Sequence, residues 1–504
     1  MNRHFNGKLN ALAEAAAMNE AVSSYESAVE YSTRETSNES RRSLNYRGEL
    51  AHARTLLADL LYEKQQFTEA NDQLTKAAKE FNKNGNSFRH QNFYLDALEA
   101  FHRVAEVFAR LSTGSPDVPL HPKEWANALN NQAELQSVLK RYEDSLVLFQ
   151  KARSVYEDAI KKIDWTNQTD DLRNEFDHGL AGAISNIGFV NLQLKDSDKA
   201  LSHVNEAITL SSTVVKRAPD NLEFRGFYCR QLLLRSMVLA HARDVEGSRH
   251  SLDEALRQSE RAWMQLQEES PINISDQRNV GAILVAVGQE IIDHESFDEV
   301  DCFSKAVGVY ELIVKGGGEE RDIIALCGAY RNQLGVLLIK DEVEKASEVA
   351  NKSITLQEKL LENHPDDTEL RDELSLTRTH LVTILLSLRR IDDAIDEVKK
   401  IQELWPRHWS SRFGPARRFA IAALSTNESA TRRRCMDIAI QLLRDAGSLG
   451  FAHYDELEKD DAFAMLRADP RYPEIAQVIR KQSEADRAIK SESIKSESML
   501  RKQP

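Results

Sequence analysis

The sequence predicts an all-α solenoid, a right-handed superhelix of antiparallel helix pairs with longer than usual helices. Three observations lead there. Small residues recur in pairs about twelve positions apart, apolar stripes at helical spacing flank each pair, and from Gly188 on the pairs return every 47 to 52 residues across turns rich in proline, glycine and capping residues.

The stretch "LLSLRRIDDAIDEVKKIQELWP", 385–406, displays one unit. Val382 and Ala394 stand twelve apart, Leu381, Leu385 and Leu388 complete a stripe before the turn at Arg389 and Arg390, and Val398 and Ile401 extend the stripe after it. The spacing repeats in Ala58 and Ala70, Ala133 and Ser145, Gly188 and Ala200, Ser236 and Ser248, and Gly288 and Val300, while Gly335 and Ala346 are one residue closer. Ala77, Ala152, Ala207 and Ala255 each follow a second anchor by seven; Ser304, four after Val300, is a polar exception. Small residues are needed where two helices cross, because overpacking there costs about 1 to 3 kcal/mol. Glycine inside a helix costs up to about 1 kcal/mol against alanine, so Gly188, Gly288 and Gly335 call for a packing reason. The pattern is that of the tetratricopeptide repeat, with Pro406 near a unit's end, although the spacing exceeds the usual period of about 34.

The elements follow in order. Residues 1–45 read as an N-terminal helix and the polar linker "TRETSNESRRS"; 46–124 as irregular repeats, with Ala97, Phe101 and Val104 on a helix whose partner around "KNGNSF" is degenerate. Residues 125–406 carry the regular long-period repeats, jointed at "RAPDN", "ESPIN", "KGGGEE" and "ENHPDD", where proline and glycine stop one helix and Asp or Ser caps the next. Residues 407–480 form a degenerate repeat, marked by Ala439, Leu443 and Ala446, and a C-terminal cap with stops at Pro470 and Pro473. The last stretch, 481–504 with its doubled "IKSES", has too little apolar surface to fold alone and reads as a disordered polar tail.

A formal charge of -14 argues against nucleic acid and anionic membranes as partners. Cys229, Cys302, Cys327 and Cys435 form no CxxC pair, which points to buried thiols in a reducing cytoplasm and to neither disulfides nor zinc. Neither an export signal nor a membrane span is expected.

At "RNQLGVLL", "SNIGFVNLQL", "HPDDTELRDEL" and "LLRDAGSLGF" with "LRADPRYPEI", the chain resembles the repeat region that follows the catalytic domain of planctomycete-type bacterial serine/threonine protein kinases. The likeness covers roughly 125–480 and implies an interaction or regulatory module. The chain lacks the glycine-rich loop, the VAIK-like lysine and the DFG motif, and "HARDVEGSR" at 241–249 is a poor catalytic loop, so no kinase activity is expected.

First helices of stacked repeats line the concave face, which makes their polar positions the candidate contacts. Asn130, Asn131, Asn186, Asn332 and Gln333 precede the first anchors, and their amides can donate to and accept from the main chain of an extended peptide. Arg235, Arg331 and Arg378 share those helices and suit acidic or phosphorylated partners. The bland counterparts are amides bridging neighbouring repeats and arginines in solvated salt bridges. "KGGGEE" lacks the Lys-Ser or Lys-Thr of a phosphate loop, the acids around His294 lack metal-ligand spacing, and the basic cluster of "TRRRC" with Arg417 and Arg418 lacks interleaved aromatics. The resulting expectation is a non-catalytic scaffold that binds a peptide or helix of another protein, with no cofactor and no metal. The alternatives are a regulatory remnant of a repeat-bearing kinase and an enzyme whose site is assembled between repeats.

Overall fold

The structure is a computed structural model that describes residues 2–34, 41–115, 117–268, 273–293 and 302–500, with side chains from 16 to 32 in the first segment, to 291 in the fourth and to 487 in the last. Among the described residues there is no strand. The chain divides into two compact units, Met1–Ser270 and Pro271–Pro504, a boundary that falls inside the stretch 125–406.

The first unit contains α1 (Asn2–Arg34), α2 (Arg41–Glu63), α3 (Phe67–His90), α4 (Tyr94–Gly114), α5 (Leu120–Val138), α6 (Tyr142–Lys162), α7 (Asp170–Gln193), α8 (Ser197–Arg217), α9 (Leu222–His241) and α10 (Val245–Glu268). Each packs against the next, and α5 also touches α7, as α7 touches α9. The second unit contains α11 (Ile274–Asp293), α12 (Cys302–Lys315), α13 (Glu320–Ile339), α14 (Val343–Asn363), α15 (Thr368–Ser387), α16 (Ile391–Leu404), α17 (Ser410–Ser425), α18 (Ser429–Ser448), α19 (Tyr454–Lys459), α20 (Ala464–Arg467) and α21 (Tyr472–Leu500). Here α11 touches α13 and α15 touches α17. Contact between alternate helices is what makes each unit a stack of tetratricopeptide-like pairs, with first helices forming one layer and second helices the other.

The small anchors do the expected packing at most crossings. Ala58, Ala70, Ala133, Ala200, Ser236, Ser248, Ala346, Val382 and Ala394 are fully buried. A Cβ on Gly188 would lie 2.6 Å from Val204 Cγ2 and 3.2 Å from the Ala200 carbonyl oxygen; one on Gly288 would lie 2.8 Å from the Phe303 ring. Gly335 does not belong to this set: it is exposed, a Cβ there would meet nothing within 4 Å, and the position twelve before Ala346 is the buried Leu334. A second correction concerns "KNGNSF". It is a well-formed part of α3, where Gly85 stands twelve before Ala97 and a Cβ would press on the Phe101 ring at 2.9 Å. Val300, His294 and the acids that follow it lie outside the described residues, as does most of the expected linker after α1.

Each described tight turn is built the same way. Gln65, Asn92, Lys140, Lys195, Arg243, Asp341 and Arg389, each five before a second anchor, adopt φ between +57° and +64°. The next N–H reaches back to a carbonyl five residues earlier, as from Asp196 to Asn191 at 2.9 Å and from Arg390 to Leu385 at 2.8 Å. This closes the first helix with its orphan carbonyls satisfied and reverses the chain within three residues. In "HARDVEGSR", Asp244 accepts from the Gly247 N–H at 2.9 Å, so the supposed catalytic loop is one of these turns. In "KGGGEE", Gly317 supplies the left-handed residue at φ +90°, and Glu319 with Asp322 forms a capping box for α13.

α13 is the one described helix long and apolar enough to cross a membrane; its Leu326, Ala329, Tyr330 and Leu334 are buried within the stack. α21 runs to Leu500 through most of the segment expected as a tail. Its first part has apolar partners, with Ile475 and Ile479 buried in the cap, Gln482 donating to the Gly447 carbonyl at 2.7 Å and Arg487 pairing with Asp455.

Candidate functional site

The first helices of the first unit line a trough of about 540 Å³. Its positions follow from helix periodicity. On α5, Asn127, Asn130 and Glu134 fall at i, i+3 and i+7, on one face, with Asn131 beside them; α3 adds Asn82 and Asn86, α7 adds His178, Gly182 and Asn186, and α9 adds Phe227 and Arg230.

The electrostatics are those of a polar floor held by neighbours. The Asn186 amide donates to the Glu134 carboxylate, and Arg89 Nη1 lies 3.6 Å from Glu134 Oε2. Burial nevertheless holds the Glu134 carboxyl above its ordinary range, outweighing both. The Tyr156 hydroxyl donates to Asn127 Oδ1, and a Cβ on Gly179 would run into that hydroxyl. Asn130 Oδ1 is buried and accepts no hydrogen bond from the protein. At the far end, His178 sits 5.0 Å from the Phe224 ring and 4.5 Å from Phe227, where burial, helped by Arg230, pushes it down to about 4. It is therefore neutral at neutral pH, a flat half-buried ring continuing an aromatic platform.

Of the residues singled out in the sequence, Asn130, Asn131 and Asn186 meet in this trough. The others do not join it. Arg235 is on α9 but off the trough lining, with its Nε buried and unpartnered. Asn332 and Gln333 are on α13, in the second unit, where Gln333 Nε2 donates to Ser304 Oγ of α12 at 2.7 Å. Arg331 pairs with Glu373 of α15 at 2.5 Å. Arg378, only 5% exposed, is clasped by Glu358 of α14 and Glu397 of α16. Both arginines thus tie helices together and do not stand ready for an outside anion. Sequence reading missed Asn82, Asn86, Asn127 and His178, although the same periodicity that marks Asn130 also marks Asn127 and Glu134 one turn to either side. Among the described residues no cluster of His, Cys, Asp and Glu is arranged to hold a metal, and all four cysteines are free and buried.

No protein-family model matches the chain, and no curated protein sequence does. Solved structures resemble it distantly. A signal-transduction ATPase of the STAND class with a tetratricopeptide repeat sensor, from Pyrococcus horikoshii, is 14% identical over 84% of this chain and 54% of that one, with a TM-score of 0.40. The nuclear import adaptor Nro1 of S. pombe is 13% identical over 71% of this chain and 99% of its own, with a TM-score of 0.37. Likenesses this weak carry no argument about function.

Proposed function

We propose that the chain is a non-catalytic protein-interaction scaffold that takes an extended peptide segment of a partner in the trough of the first unit. The observation that carries the reading is the gathering of six asparagines, Asn82, Asn86, Asn127, Asn130, Asn131 and Asn186, from three successive first helices on one concave surface. An amide both donates and accepts, as a peptide unit does, so such a floor grips main chain with little demand on sequence. The titratable groups support binding over proton transfer, since Glu134 is held by Asn186 and Arg89 and His178 is packed in rings. The likeness of 125–480 to kinase repeat regions supports a regulatory setting beside a separate kinase, and buried free thiols suit the cytoplasm. The basic cluster does not favour nucleic acid, because Arg417 pairs with Asp460, Arg434 with Asp392, and Arg432 with the Thr426 carbonyl.

The test is affinity capture from native lysate with the full chain, mass spectrometry of what is retained, and titration of the captured partner against a variant carrying Asn130→Ala, Asn131→Ala and Asn186→Ala. Weakened affinity with an unchanged melting temperature is expected. Equal affinity for both proteins would refute the amide trough.

A further inference from the structure

The second unit has an inner layer of different chemistry, formed by α13, α15 and α17. Comparing helix positions with the first unit shows what faces inward. His380 stands two before the anchor Val382, as Asn131 and Asn186 stand two before Ala133 and Gly188; Arg331 stands three before Leu334, as Asn130 does before Ala133. α15 and α17 approach closely here, since a Cβ on Gly414 would lie 3.9 Å from Thr379 Cγ2. On α13, Gly328 and Gly335 flank Arg331 by one turn each way, and a Cβ on either would meet nothing within 4 Å, so this ground is open.

The charges on these helices are unevenly matched. Arg331 has Glu373, and Arg417 has Asp460. Arg418, half-buried on α17, has no carboxylate, hydroxyl or carbonyl partner among the described residues. Its neighbours are cationic or titratable: Arg417 beside it, and His380, which lies in the fields of both Arg418 and Arg331. A half-desolvated guanidinium crowded by a second one is unfavourable without an anion, and a planar guanidinium suits oxyanions best.

We propose that Arg418 and His380 form an oxyanion site on the inner face of the second unit, for the carboxylate or phosphate group of a bound partner. The site goes beyond the peptide trough, shares no residue with it, and replaces the anion role that the sequence assigned to Arg378. Burial and the two arginines hold His380 below its ordinary pKa, so a bound oxyanion raises its proton affinity and binds more tightly as the pH falls through that titration. The nearby acids, Glu373 and Asp460, are each held by their own arginine.

The experiment uses the full chain and two probes, inorganic phosphate and acetate, and follows the Hε1 resonance of His380, identified by its loss in His380→Gln. Saturable movement of that resonance, with the His380 titration displaced upward, is expected. Arg418→Gln should weaken binding about tenfold and Arg418→Lys less, while Arg433→Gln, at an exposed position on α18, should leave it unchanged. A response to phosphate alone assigns the site to phosphorylated groups; a response to both probes assigns it to oxyanions generally. No saturable movement with either probe, or an isotherm that both Arg418 variants leave intact while melting normally, overturns the site. The triple asparagine variant should keep the wild-type phosphate isotherm, so unweakened partner capture by that variant with phosphate binding retained sinks the trough reading alone.

Discussion

The inner layers of the two units use the same helix positions for opposite purposes. In the first unit the positions two, three and six before an anchor hold Asn131, Asn130 and Asn127 on α5, neutral groups that line an open trough. In the second, the corresponding residues of α13 are Asn332, Arg331 and the bare Gly328, and the arginine is joined to Glu373 of the next first helix. The lesson is that the repeat fixes where a side chain points, while neighbouring residues decide whether it stays available. A neutral amide can lie on a surface at little cost, whereas a half-buried guanidinium recruits a carboxylate wherever one is in reach.

This contrast can be broken or sharpened by substitution. The largest effect is expected at Arg378. Arg378→Ala leaves Glu397, about 10% exposed, with Lys400 alone, and should destabilise the second unit by about 3 kcal/mol in chemical denaturation. Binding at the first unit's trough should persist. Next comes Gly188→Ala, whose new Cβ meets Val204 and the Ala200 carbonyl; a loss of about 2 kcal/mol is expected, and an unchanged midpoint would show that the crossing tolerates bulk.

A pH effect follows from His178. Its depressed pKa means the unfolded chain takes up the proton first, so its contribution is complete above about pH 6.5 and is lost as pH falls toward about 4. By about pH 5 the loss should be roughly 1 to 2 kcal/mol, and His178→Gln should flatten that limb of a stability profile. The triple asparagine variant should loosen peptide affinity about tenfold with no shift in melting temperature. The smallest effect is at Gly335: Gly335→Ala should be neutral or stabilising by up to about 1 kcal/mol, since nothing packs there.

What was legible in the sequence is local or strictly periodic. The pairs of small residues, the helical stripes and the joints at Pro219, Gly317 and Pro365 could be read because crossing helices require little side chain at a fixed distance from the turn. The register slip at Gly335 came from giving a glycine preference over Leu334; the crossing there uses a leucine, and composition alone could not tell which of two adjacent residues turns inward. The left-handed turn residues went unseen for a related reason. Lys140, Lys195 and Arg389 are not types that favour positive φ, and the hydrogen bonds that close the hairpin impose it at a cost of about 1 kcal/mol.

By itself, then, the sequence determined that helices form, where most of them reverse and which residues meet at most of the crossings, because each is set by neighbours within one hairpin. The tertiary structure alone decided which polar residues share a surface and which are neutralised. Asn186 reaches Glu134, Arg331 reaches Glu373 and Arg378 reaches Glu358 from one helix pair to the next, and only the stacking of those pairs brings the charges and amides within hydrogen-bonding range.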